Sequence, residues 1–521
     1  MAIRIPLVWR TDSQKVNCPK DKRSHPGVRQ CARWLGMTEI LNLMTLPERE
    51  LLFKFNLQFL KNGDKVGEIM SKCIVWLNDL VWGIPALLLI LGVGIYLSLR
   101  LGFPQITLFP EAFRRFLRQL VPDKEFDNRS SFRALCTALA ATVGTGNLVG
   151  VAGAICLGGP GAVFWMWLCG ILGMVTKYTE ALLSVRYRVK TEHGFSGGPM
   201  YMILLGLPRK FHSLAWIYAF FGMIASFGVG NATQINAAMT GLRACFEHYD
   251  LTFTPILQLL TTAVSALLIG FLLYGGAKSV AAAAERLIPF ASAGYILLCA
   301  GVLLVHWRQI PAAFSTILLG AFSPRAVTGG IIGSAFCALR VGCSRGVFTN
   351  EAGMGTAAIA HAEAEGVHPV QQGLMGIMEV FLDTIVICTL TALVILISGV
   401  PIPYGRDAGG LLTTGAFSAI YGKSAVLWLT AAMILFALAT VLGWGLYGAR
   451  CAQFLFGQKA WKYFAAVQIP TVFAGAFLET ASIWQLSEAV NGLMSIPNLI
   501  TLAVLAPEAA RLTKEYRKSG V

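Results

Sequence analysis

Three stretches carry residues whose types and spacing could hold a small polar solute inside an otherwise apolar chain. In Thr137-Ala-Leu-Ala-Ala-Thr-Val-Gly-Thr-Gly-Asn147 an apolar run is interrupted by Thr142, Gly144, Thr145, Gly146 and Asn147. Gly144 and Gly146 can unwind a helix, which frees backbone N–H groups at a half-helix N-terminus to hold an anion and carbonyls to hold a cation. Close helix packing through small residues is the plain alternative. The second stretch runs from Gly333 to Gly355, past Arg340, Arg345, Asn350 and Glu351. In the third, Phe436-Ala-Leu-Ala-Thr-Val-Leu-Gly-Trp444, the Thr440 hydroxyl could coordinate a cation and Trp444 could wall a pocket.

The elements that position these residues follow from composition. The 521 residues are 55% hydrophobic and 13% charged, with 54 Gly. Soluble domains average about 25% charged residues, so an ordinary cytosolic enzyme is excluded and a multi-spanning helical membrane protein is expected. Most of the 12 Cys lie in apolar runs with no CxxC pair, so no disulfide framework is indicated. Runs of about 20 apolar residues give eleven candidate spans: 74–99, 134–157, 162–187, 214–239, 256–273, 287–305, 328–348, 374–398, 425–451, 461–478 and 486–505.

The net charge of +15 sorts with topology rather than with nucleic acid. Alternating loops place 21 Lys and Arg on one side and 5 on the other, which predicts a cytoplasmic C-terminus and an outer N-terminus in a plasma (bacterial inner) membrane. Residues 1–72 carry 13 Lys and Arg without a signal-peptide pattern, and Met70 is an alternative start. The expected organisation is a tail over 1–72, an extra helix and basic loop over 73–130, five-helix halves over 131–310 and 311–510, and a cytoplasmic tail over 511–521. The second and seventh spans, both interrupted, lie five helices apart. Two broken helices in corresponding positions of two halves point to an inverted-repeat transporter with its site at the midplane.

Other polar residues at membrane depth need partners. Asn231 and Gln234 share a face of the fourth span and are expected to bond substrate or the unwound helix, or to brace two helices. Lys177 and Glu180 read as a structural i,i+3 pair. Asp383, deep in the eighth span, is a cation-site or proton-relay residue, or is bonded to a hydroxyl such as Thr384. Arg345, Asn350 and Glu351 are expected at the cytoplasmic exit of the seventh span as an inner gate, or as a network fixing that loop. His361 to His368 matches no zinc spacing and is expected to be a solvated loop. Gly270 to Ser279 lacks the second Gly of a phosphate loop, so no nucleotide site is expected.

Taken together, ATVGTGNLVGVAGAI, GGPGAVFWMW, TKYTE, SGGPMYMI, GVGNATQIN, RGVFTNEAGMGTAAIAHA, HPVQQGL and FLDTIVICTLTA resemble the alanine/glycine:cation symporter family, over about Trp76 to Leu512. The resemblance implies an all-α, leucine-transporter-like 5+5 inverted repeat preceded by one extra helix. It also implies sodium-coupled import of alanine or glycine, with no enzyme activity and no cofactor besides the coupling ion. Amides of Gly144, Thr145 and Gly146 would hold the substrate carboxylate, with Thr142 and Gln234 beside it. Carbonyls of Ala140 and Val143 would share a sodium ion with Thr440, and Asn147 would orient the turn or join a second cation site with Asp383. Carbonyls around Phe336 to Leu339 would take the ammonium group, and Phe336 with Trp444 would restrict the side chain to a methyl or a hydrogen. Three departures stand out: Ala439 where Ser or Thr is usual, Ala449 where an acid is common, and Ser344 where a base is frequent. Ala439 makes proton coupling through Asp383 the rival reading, and a non-transporting amino acid sensor is a further one.

Overall fold

A computed structural model describes residues 84–120, 129–191, 194–477 and 480–519. The basic tail and Met70 lie outside the described residues. Apolar α1 (Ile84–Leu101) ends at Gly102, whose φ of 72° turns the chain into amphipathic α2 (Phe109–Leu120). The second span is α3 (Arg129–Thr142), then a break, a π-helical turn over Gly146–Gly150 and α4 (Val151–Gly158), its two arms bent by 52°. After α5 (Ala162–Arg186) comes a short antiparallel hairpin, β1 (Val189–Thr191) with β2 (Gly194–Ser196), and then α6 (Pro199–Gly206). The fourth span joins α7 (Ser213–Phe227) to α8 (Thr233–His248) through a second π-helical turn, Gly228–Ala232. Two long helices follow, α9 (Pro255–Tyr274) and α10 (Gly276–Val305), and then the shorter α11 (Ile310–Phe322).

The second half mirrors this order. Helix α12 (Ala335–Asn350) stops at a second break, which α13 (Thr356–His361) leaves. The eighth span is α14 (Pro369–Val380), a third π-helical stretch over Phe381–Cys388, and α15 (Thr389–Ile397). Then come α16 (Gly409–Tyr421), α17 (Ser424–Phe456), α18 (Ala460–Phe477) and α19 (Thr480–Ser519). Among the described residues, seven helices are long and apolar enough to cross a membrane, and the bent pair makes eight. The other three expected spans are the helices α1, α12 and α18, which are shorter or more polar. The seventh span starts at Ala335 rather than Thr328, because Gly329 and Gly330 have φ of 62° and 90° and Ser334 Oγ caps the new helix at the Cys337 amide (3.2 Å).

Glycine sets the closest helix contacts. A Cβ on Gly376 of α14 would stand 2.7 Å from the Lys177 carbonyl of α5, so no side chain fits between these two helices. Phe271 and Leu304 instead point outward from α9 and α10, as lipid-facing residues do. Each π-helical stretch lies at or beside the breaks, where such irregularity frequently marks function.

Candidate substrate and cation site

The first break is held open by its own asparagine. Asn147 Oδ1 accepts the Gly144 amide at 2.9 Å, and the Asn147 amide reaches the Gly144 carbonyl at 3.3 Å. Thr145 Oγ1 donates to Gln234 Oε1 (2.9 Å), and Gln234 Nε2 donates to the Val229 carbonyl in the π-helical turn of the fourth span (3.2 Å). Gln234 therefore bonds the unwound segment, whereas Asn231 bonds Gln468 of α18 and acts as a helix–helix brace. Thr142 Oγ1 turns back to the Ala138 carbonyl (3.3 Å), and Ala140 and Val143 are buried beside it.

The second break lies at Glu351–Gly355, further along the chain than Phe336 to Leu339. Glu351, Gly353 and Gly355 have φ of 54°, 92° and 76°, so the chain reverses there as a helix cannot. Phe336 and Leu339 lie at the start of continuous α12, where Phe336 is 53% exposed, and the structure does not bring either to the first break. The residues that do meet it are Thr349 and Phe348. A Cβ on Gly146 would stand 3.1 Å from Thr349 Cγ2 and 4.0 Å from Phe348 Cδ1.

Nor do the three expected gating residues form one group at a cytoplasmic exit. Arg345 pairs with Asp407 (3.2 Å) in the connection before α16, which also carries Arg406 of the expected outer side. Glu351 is buried at the break, where Oε1 accepts from Trp444 Nε1 (2.8 Å) and Oε2 from Thr356 Oγ1 (2.6 Å). Asn350 repeats the part of Asn147. Its Oδ1 accepts the Ala352 amide (3.0 Å) and its Nδ2 donates to Thr384 Oγ1 (3.1 Å).

Both asparagines thus converge on neighbouring residues of the eighth span. Asn147 Nδ2 donates to Asp383 Oδ1 (2.6 Å), and Thr384 Oγ1 donates to Asp383 Oδ2 (2.8 Å). One unbroken series of hydrogen bonds runs from the Gly144 amide through Asn147, Asp383, Thr384 and Asn350 to the Ala352 amide. Asp383 is met by hydrogen bonds, including that of Thr384.

From α17, Thr440 faces the first break, where a Cβ on Gly144 would stand 2.7 Å from its Oγ1. That hydroxyl is buried and has no hydrogen-bond partner. A buried oxygen left unsatisfied beside unwound backbone has the donor chemistry a sodium ion uses. Trp444, fully buried, packs on Gly230 so closely that a Cβ there would lie 2.2 Å from the Trp444 Cβ.

A second charged network, invisible as such in the sequence, surrounds the second break. Lys177 pairs with Glu379 (2.9 Å) rather than with Glu180, and Glu379 also meets His361 Nε2 (3.0 Å). His361 Nδ1 contacts Gln372 Nε2 (2.7 Å), so His361 is a buried bracing residue, and Glu363 pairs with Arg450 (2.7 Å). The segment expected to be a solvated loop is therefore largely packed. Glu180 Oε1 accepts the amides of Gly353 (3.0 Å) and Gly355 (3.1 Å) and Nδ2 of Asn498 (2.7 Å). The spacing of two glycines in NEAGMG, like that in GTGN, was the sequence signal for this break.

The sodium:alanine symporter family model matches residues 67–520. An uncharacterized transporter of Haemophilus influenzae is 41% identical over 446 residues, 84% of this chain and 94% of that one. The sodium/alanine symporter AgcS of Methanococcus maripaludis is 40% identical over 448 residues, 85% of this chain and 96% of its own. Among solved structures, MhsT in complex with L-phenylalanine is similar at TM-score 0.52 and 13% identity, covering 75% of this chain and 98% of that one, which shows a shared leucine-transporter-like fold. With a family model running through both broken helices and nearly full-length relatives at 41% and 40% identity, this multi-pass membrane protein belongs to the sodium:alanine symporter family.

Proposed function

We propose that the chain is a secondary transporter that carries alanine or glycine inward together with sodium, both bound between the two breaks. The observation that carries this reading is the buried, unpartnered Thr440 hydroxyl facing Gly144. With the carbonyls of Ala140 and Val143, it supplies neutral oxygens for a monovalent ion that orders the unwound backbone, so ion and substrate raise each other's affinity. The Gly144 amide is committed to Asn147. A substrate carboxylate therefore falls to the amides of Thr145 and Gly146, at the start of the second half-helix. The ammonium group falls to the last carbonyls of α12, at the negative end of that helix dipole. Thr349, Phe348 and Trp444 crowd this space, which favours a methyl or a hydrogen as the side chain.

In this reading the loops rich in Lys and Arg lie in the cytoplasm of a bacterial-type plasma membrane, and one helical bundle rocks against the other to release both solutes. Asp383, held by Asn147 and Thr384, positions the breaks. The test is uptake of labelled L-alanine and glycine into proteoliposomes under an inward sodium gradient, an inward proton gradient or neither. Accumulation with sodium alone is the expected result. Accumulation with protons alone overturns sodium coupling, and binding without flux would make the protein a sensor.

A further inference from the structure

We infer that the second break holds a second monovalent-cation site, built on Glu180 and Asn498, distinct from the one facing Thr440. It rests on the sodium-coupled reading above and extends it to the other broken helix. The carboxylate of Glu180, fully buried on α5, is used lopsidedly. Its Oε1 accepts three N–H groups, from Gly353, Gly355 and Asn498, while Oε2 of the same group has no partner. Asn498 of α19 shows the same imbalance. Its Nδ2 donates to Glu180 Oε1 and to the Gly353 carbonyl (2.9 Å), and its Oδ1, also buried, has no donor.

Both unsatisfied atoms are acceptors, and they belong to two side chains joined by one hydrogen bond. A Cβ on Gly355 would stand 2.8 Å from that Asn498 oxygen, which places it against the unwound segment itself. A buried acceptor left without a donor carries a desolvation penalty, and a cation bound at these two joined side chains removes it for both. Nearby, the hydroxyls of Tyr447 and Tyr218 are buried and unpartnered too, and Tyr447 packs edge-on against Trp444, at 5.9 Å between ring centroids. Among the described residues no group of three or more His, Cys, Asp or Glu is placed to hold a metal ion. One carboxylate with neutral oxygens instead suits a single positive charge and a hard, oxygen-seeking ion such as sodium.

Radiolabelled sodium binding to the purified full-length protein tests this directly. E180Q keeps an oxygen for the Gly353 and Gly355 amides and places an NH2 group where the unpartnered oxygen stood. E180Q is expected to bind one sodium ion fewer per chain than the unsubstituted protein, T440V likewise one fewer, and the double variant two fewer. An unchanged count in E180Q overturns the proposal. Infrared difference spectra of the unsubstituted protein, with sodium replaced by choline, avoid dependence on a variant that fails to fold. Labelling Glu carboxyls with carbon-13 should then shift a sodium-induced carboxylate band, and no such Glu band overturns the site. Both readouts are independent of flux, so failure of alanine uptake would reject the transport reading while these counts still decided this one.

Discussion

At the scale of single residues, the unpartnered hydroxyl and the paired asparagines predict opposite kinds of variant. Thr440→Val keeps the shape and removes an oxygen that bonds nothing in the protein. It should leave the melting temperature within about 2 °C while raising the sodium concentration for half-maximal uptake at least about tenfold, or about 1.4 kcal/mol. Asn147→Ala strips partners from the Gly144 amide and from Asp383 together. Leaving buried polar groups unsatisfied costs about 1–3 kcal/mol each, so thermal melting should fall clearly and transport with it. That the helix is interrupted at Gly144 to Asn147 was legible in the sequence, since two glycines and an asparagine break an apolar run there, whereas the approach of Thr440 to the same break followed only from the family resemblance. Glu351 was misplaced for a physical reason. An acid after an apolar stretch reads as the way out of the membrane, and its compensation comes from Trp444 and Thr356, of which only the second is near in sequence.

At the scale of elements, the glycines of the two broken helices are not all equally required. Gly355 has φ of 76°, and a Cβ there would stand 2.3 Å from Pro199 Cγ and 2.8 Å from Asn498. At Gly150 nothing lies within 4 Å of such a Cβ. Gly355→Ala should therefore abolish uptake and lower folded yield, and Gly150→Ala should retain both, as uptake and size-exclusion profiles of matched preparations would show. Between elements, the Arg345–Asp407 pair ties α12 to the connection before α16 with side chains 21% and 50% exposed. Such pairs contribute about 0–1 kcal/mol, so Asp407→Asn should change stability little and shift the rate of solute entry instead, measurable as the association rate of labelled alanine. The helix order itself was legible from hydropathy. The length of α12 was not, since Gly329, Gly330 and the Ser334 cap restart the helix locally.

For the whole molecule, the family match begins at residue 67, close to Met70. A chain starting at Met70 should transport as the full chain does, and side-by-side uptake assays would settle it. The expected orientation predicts that single cysteines introduced near Lys190 and near Arg406 react from opposite faces of intact cells with a membrane-impermeant reagent.

The series of hydrogen bonds through Asp383 and Thr384 also bears on fidelity. Each interruption is latched to the same two neighbouring side chains, so one cannot straighten or swing without pulling on the other. A machine wired in this way resists half-cycles, in which an ion slips through while its passenger stays behind. Loosening that latch should show itself as wasted gradient, a sodium leak in the absence of any amino acid, before it shows as weaker binding.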